Sequence, residues 1–140
     1  METNSEMIFN PAITELTTAA TDVLLAIFAL GCIAVLRRGR NRHRQRVAVW
    51  SWVFGLLAFA SLVGAIAHGL DLSSTVQSWL WRPLFLSLGL VVAMFVVGAV
   101  FDLKGESAAR AWLVPMLVLA LGFFTITQIG SGSFRAFVVY

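Results

Sequence analysis

The chain has 140 residues, 59% of them hydrophobic and only 12% charged, with a mean hydropathy of +0.88. That composition lies outside globular usage and excludes an ordinary soluble domain. The net charge of +3 would suggest nucleic acid in a soluble protein, but six of the nine arginines fall between Arg37 and Arg46, a topology signal in an apolar chain, so no nucleic-acid binding is expected.

Taken in order, the N-terminal stretch carries Glu2, Glu6 and Glu15 and no positive region ahead of its apolar run, so no cleavable signal peptide is expected. Asn10 and Pro11 make a helix start, and the first span is predicted over about residues 13–36, close to the roughly 20 residues that cross a bilayer. Cys32, the lone cysteine, has no intrachain partner and reads as a small buried apolar residue. The basic loop 37–46 belongs in the cytoplasm by the positive-inside rule, which leaves the N-terminus outside. Its arginines also suit anionic lipid headgroups.

The second span is predicted over about 47–70, with Trp50 and Trp52 at the inner interface, and a short polar loop, residues 71–78, follows it. Trp79, Trp81 and Arg82 read as an outer belt, Pro83 opens a third span over about 83–101, and Asp102, Lys104, Glu106 and Arg110 form a second inner loop of mixed charge. The fourth span is predicted over about 111–128, with Pro115 near its start. After a Gly-Ser turn, residues 134–140 read as the beginning of a fifth, partial span. The fold class is therefore an all-α, polytopic transmembrane helix bundle of a single domain.

Within these spans polar residues are few, and membrane depth makes each of them costly. Ser61, Gly64, His68 and Asp71 are spaced three, four and three apart and would share a helix face. Glu15, Thr18 and Asp22 form a similar stripe on the first span. Antiparallel packing of the two spans sets Asp22 near the level of Ser61 and Glu15 near His68. Arg82, Ser87, Thr125, Thr127 and Gln128 also lie in outer halves, so a polar cavity open to the outside and lined by the first two spans is expected. Gly31, Gly55, Gly64, Gly89, Gly98 and Gly122 are available for close helix approach.

His68 admits three readings: a structural histidine bonded to Asp22, Glu15 or a backbone carbonyl, a metal ligand, or a haem or quinone ligand. Imidazole and carboxylates suit zinc, although catalytic zinc usually takes three protein ligands. A bis-histidine haem would need a second histidine, and His43 lies in the basic loop.

The Gly64-x-x-x-His68 segment at the outer end of the second span, with an acidic residue in the first, resembles the superfamily of seven-helix membrane hydrolases that includes the alkaline ceramidases and the progestin and adipoQ receptors. The resemblance covers residues 13–101. It implies a zinc-dependent lipid-amide hydrolase in which His68 is a metal ligand, Asp22 or Glu15 a further ligand or proton acceptor, and a lipid the substrate. The motif serine is replaced here by Gly64, with Ser61 a turn away as the candidate catalytic hydroxyl, and the third span has no aspartate, Asp102 lying at its inner end. Two readings from other classes stand beside it. One is a non-catalytic membrane protein with an Asp/His packing pair, and the other a small proton-coupled transporter.

Overall fold

The computed structural model describes residues 9–38 and 44–129, in which four helices follow one another: α1 (Ile13–Arg38), α2 (Arg44–Gly69), α3 (Ser74–Lys104) and α4 (Glu106–Ile129). All four are long and apolar enough to cross a membrane. The protein is an all-helical, multi-pass integral membrane protein. At 1.5 Å per residue, α1 and α2 rise ~39 Å and α3 ~46 Å against a ~30 Å hydrocarbon core, so their ends reach the headgroup layers. The expected partial span 134–140 lies outside the described residues, as does His43.

Each helix packs on its neighbours in sequence: α1 on α2, α2 on α3, and α3 on α4. Among the described residues α4 does not return to α1, so the four form an open row and not a closed ring. Small residues set the spacing, as expected where lipid removes most of the hydrophobic drive for helix association. The buried residues of α1 are Ala19, Ala26 and Ala29. A Cβ on Gly89 would meet the Phe123 ring at 3.3 Å, and one on Gly98 the Trp50 ring at 3.3 Å. Gly31, Gly55 and Gly122, also available by sequence, meet nothing within 4 Å.

Asn10 and Pro11, expected to cap and open the first helix, both precede α1, which begins at Ile13, and Asn10 ties its approach down. Its Oδ1 accepts the Ala12 N–H at 3.0 Å, while its own N–H donates to the Gly69 carbonyl at 3.1 Å, tying the head of α1 to the tail of α2. The third helix departs from expectation. It begins at Ser74, capped by Ser73, whose Oγ accepts from the Val76 N–H at 3.5 Å, and Pro83 lies inside it. Serine at the cap satisfies an orphan donor that proline cannot, which makes the DLSS stretch the stronger start signal. Pro115 likewise falls inside α4. Internal prolines are tolerated in membrane helices because neighbouring groups take up freed backbone atoms. Here the Ser87 hydroxyl donates to the Pro83 carbonyl at 2.7 Å.

The expected mixed-charge loop after α3 is a single residue. Gly105, at φ 86°, ends α3 by donating to the Phe101 carbonyl at 3.0 Å, and α4 begins at once. Glycine is the residue that reaches such a φ without steric penalty. The charges of this corner are matched across the helix row. Arg46 donates to Asp102 Oδ1 at 2.6 Å, Trp50 Nε1 to Asp102 Oδ2 at 3.2 Å, and Gln45 to Glu106 at 2.8 Å, while Arg110 also pairs with Glu106. Trp50 therefore packs inward, edge-on to Phe95. Trp52, 65% exposed, is the residue of the pair that faces outward.

Candidate functional site

At the opposite end of the row, Val63, Leu84 and Phe85 form a buried apolar cluster against which Leu80, Trp81, Leu88 and Phe124 pack. This platform fixes the C-terminal half of α2 relative to α3. On its α1 side lies a cleft of about 420 Å³ whose polar lining is Thr18, Asp22, Ser61 and His68, and whose walls are Leu25, Leu57, Trp81, Leu84 and Leu88. It is bounded by α1, α2 and α3, one helix more than expected. Because α1 does not pack on α3, the cleft opens sideways between them.

His68, in the last turn of α2, has its Nδ1 2.5 Å from Oε2 of Glu15 in the first turn of α1. With the proton on Nδ1, the imidazole donates to the carboxylate, and Nε2 is left with its lone pair. The ring is held from the other side by Trp81, edge to face at 5.3 Å between centroids, and Trp81 is stacked in turn on Phe85 at 5.6 Å. Trp81, expected in the outer belt, instead buttresses the histidine. Arg82, expected in the same belt, is exposed and lies 4.6 Å over the Trp79 ring.

Asp22 sits two turns deeper on α1. Its carboxylate lies against Gly64, where a Cβ would fall 2.5 Å from Oδ2. The absence of a side chain at Gly64 is thus what admits the carboxylate, a role that the Gly-x-x-x-His spacing alone does not reveal. Among the described residues no donor stands within hydrogen-bond distance of Asp22, and the hydroxyl of buried Ser61 likewise has no partner. A polar group in a low-dielectric site without a partner is costly, so both await one.

The predicted site residues thus fall into two groups. Glu15, Asp22, Ser61 and His68 come together on the α1–α2 face. Ser61 is seven residues from His68, ~10 Å along the helix, beyond direct proton exchange with the imidazole. Asp71, expected on the same face, is past the end of α2 at Gly69 and exposed, because the helix stops before its periodicity reaches it. Ser87 and Thr127 are buried but bonded to their own helix, to the Pro83 and Phe124 carbonyls, and no residue of α4 lines the cleft, so Thr125, Thr127 and Gln128 lie outside it. Among the described residues no three His, Cys, Asp or Glu side chains converge to hold a metal. The donors present do not by themselves make a zinc centre.

No curated protein and no solved structure matches the chain. A family model matches residues 17–140, nearly its whole length and all four helices in whole or in large part, and on that match the chain belongs to a family of unknown function, DUF6962.

Proposed function

We propose that the cleft between α1 and α3 binds an amphipathic, lipid-like molecule whose head donates hydrogen bonds through a hydroxyl, amide N–H or ammonium group. The observation that carries this reading is the unpartnered carboxylate of Asp22 and the unpartnered hydroxyl of Ser61 lining one cleft whose walls are leucines and Trp81. Such a head would satisfy Asp22, its tail would lie along Leu57, Leu84 and Leu88, and the lateral opening would admit it from the bilayer. Glu15 orients His68 so that Nε2 accepts from the same head, the arrangement by which a carboxylate commonly fixes an imidazole tautomer. The N-terminus and the cleft then face outward, and the arginine loop lies in the cytoplasm against anionic lipid.

The test is binding of N-oleoylethanolamine, which donates from both an amide and a hydroxyl, beside ethyl oleate, which donates from neither, to the detergent-purified protein. The amide should bind at least tenfold tighter than the ester, and Asp22→Ala should remove that preference. Equal binding of the two, or an unchanged preference in the variant, overturns the reading. A zinc-dependent hydrolase acting on a lipid amide, as the ceramidase resemblance implies, requires at least one metal donor beyond His68 and a carboxylate. Elemental analysis of wild type beside His68→Ala decides that extension. Near-stoichiometric zinc lost in the variant supports it, and a folded wild type without zinc refutes it.

A further inference from the structure

The other end of the α1–α2 interface holds a second and larger cavity, of about 700 Å³, with Arg37 and Arg44 at its mouth and Ser51, Trp52 and Gly55 along its length. Four observations bear on what it takes. First, Arg37 and Arg44 have no carboxylate partner among the described residues, whereas Arg46 and Arg110 are matched to Asp102 and Glu106. Secondly, Arg44 opens α2, so the positive end of that helix adds to the two guanidinium charges. Thirdly, the Ser51 hydroxyl is fully buried with no hydrogen-bond partner. It stands seven residues, ~10 Å, deeper than Arg44. Fourthly, the deeper wall is apolar, made by Ile33, Leu56 and Phe59, and a Cβ on Gly55 would meet nothing within 4 Å, so the space beside it is open.

An anion at the mouth, an acceptor about 10 Å below it and a hydrocarbon chain beyond are the parts of one molecule. We infer that this cavity is a binding site for a single anionic phospholipid, its phosphate held between Arg37 and Arg44, an ester carbonyl accepting from Ser51, and an acyl chain running past Gly55 along Leu56 and Phe59. Guanidinium groups suit the phosphate because they present paired donors in a planar fork. Exposed Trp52 at the rim lies at the depth where its ring is favoured. Free phosphate would use the mouth alone and leave both Ser51 and the apolar wall unanswered. The inference rests on the cytoplasmic, anionic-lipid contact proposed above, but it is narrower: one lipid in one place, not a charged surface.

Native mass spectrometry of the full chain in detergent, titrated with dioleoyl phosphatidylglycerol or dioleoyl phosphatidylcholine, separates the two. One phosphatidylglycerol should bind, at least tenfold tighter than phosphatidylcholine. Arg37→Gln and Arg44→Gln should each weaken it about fivefold, the effect of ~1 kcal/mol per basic residue. Arg38→Gln, the same charge change outside the cavity, should leave it within twofold. Gly55→Leu, which fills the cavity without altering charge and whose Cβ meets nothing within 4 Å, should weaken it at least tenfold. Equal losses for Arg37→Gln and Arg38→Gln, with none for Gly55→Leu, would leave the general lipid contact standing and overturn the site. No preference for the anionic lipid would overturn both. Displacement by millimolar inorganic phosphate would show an anion site and not a phospholipid site.

Discussion

Replacing Gly64 by alanine probes the contact that seats α1 on α2. The added Cβ would stand 2.5 Å from Oδ2 and 3.2 Å from Cγ of Asp22, far inside van der Waals contact, so either the carboxylate swings away or α1 shifts. Against this, alanine is favoured over glycine inside a helix by up to ~1 kcal/mol. Overpacking of a tight interface costs about 1–3 kcal/mol, so the wild-type background should lose up to about 2 kcal/mol. In an Asp22→Ala background the obstructing atoms are gone, and the same substitution should be neutral or stabilise by up to ~1 kcal/mol. The four proteins of this cycle should therefore show a coupling of about 1–3 kcal/mol. Reversible unfolding in mixed micelles, followed by circular dichroism, reads it directly. Additivity to within ~0.5 kcal/mol would refute the claim that Gly64 is there to admit Asp22.

Three further outcomes follow from the same coordinates. Asp102→Ala removes the acceptor for both Arg46 and Trp50. With Arg46 and Asp102 45% and 32% exposed at the ion pair, solvent discounts the loss to about 1–2 kcal/mol, and added salt should weaken wild type more than the variant in the same unfolding assay. Gly105→Ala forces a side chain onto a residue at φ 86° and should cost about 1–3 kcal/mol, measured against wild type in the same unfolding assay. Gly31→Ala and Gly122→Ala, with nothing within 4 Å, should be neutral or stabilising by up to ~1 kcal/mol; a clear loss in either would show that a face drawn as open is packed.

The four spans among the described residues and the grouping of Glu15, Asp22, Ser61 and His68 were legible because hydropathy and helical spacing are local properties of the chain. Depth matching across a short antiparallel connection then put Glu15 beside His68. The rest depends on partners far apart in sequence. Trp50 and Trp81 both looked like interfacial tryptophans, and composition cannot say which ring turns inward; Gly98 gives Trp50 its place, and the Phe85 ring gives Trp81 its own. The start of α3 was misplaced because Pro83 is a loud signal and a serine cap a quiet one. Asp71 failed for a related reason: periodicity carries a face forward, but it does not say where the helix stops. Asp102 shows what could have been read. Arg46 and Trp50 are one turn apart, and an unmatched acid on the neighbouring inner corner was their available partner.

The polar residues of α1 carry a double burden, and the two parts can be separated. The buried side chains of α1 are all alanines, and in lipid such a surface gains little from apolar burial alone. Its seat on α2 rests instead on the Glu15–His68 pair, the Asn10–Gly69 hydrogen bond and the fit of Asp22 over Gly64. His68→Ala would consequently loosen the helix and disturb the cleft together, and loss of binding by itself would say nothing about contact with a ligand. A covalent tie resolves this. An ideal Cβ on Gly69 stands 3.3 Å from Cβ of Ala19, a few tenths of an ångström short of the usual disulfide separation of roughly 3.5–4.5 Å. In a Cys32→Ala background, Ala19→Cys with Gly69→Cys should therefore oxidise readily and hold α1 without help from the polar pair. Adding His68→Ala to the oxidised protein should then leave resistance to unfolding near that of its cross-linked parent, while the preference for the lipid amide stays lost. Return of that preference on cross-linking would make His68 a strut for α1 and remove it from the ligand site.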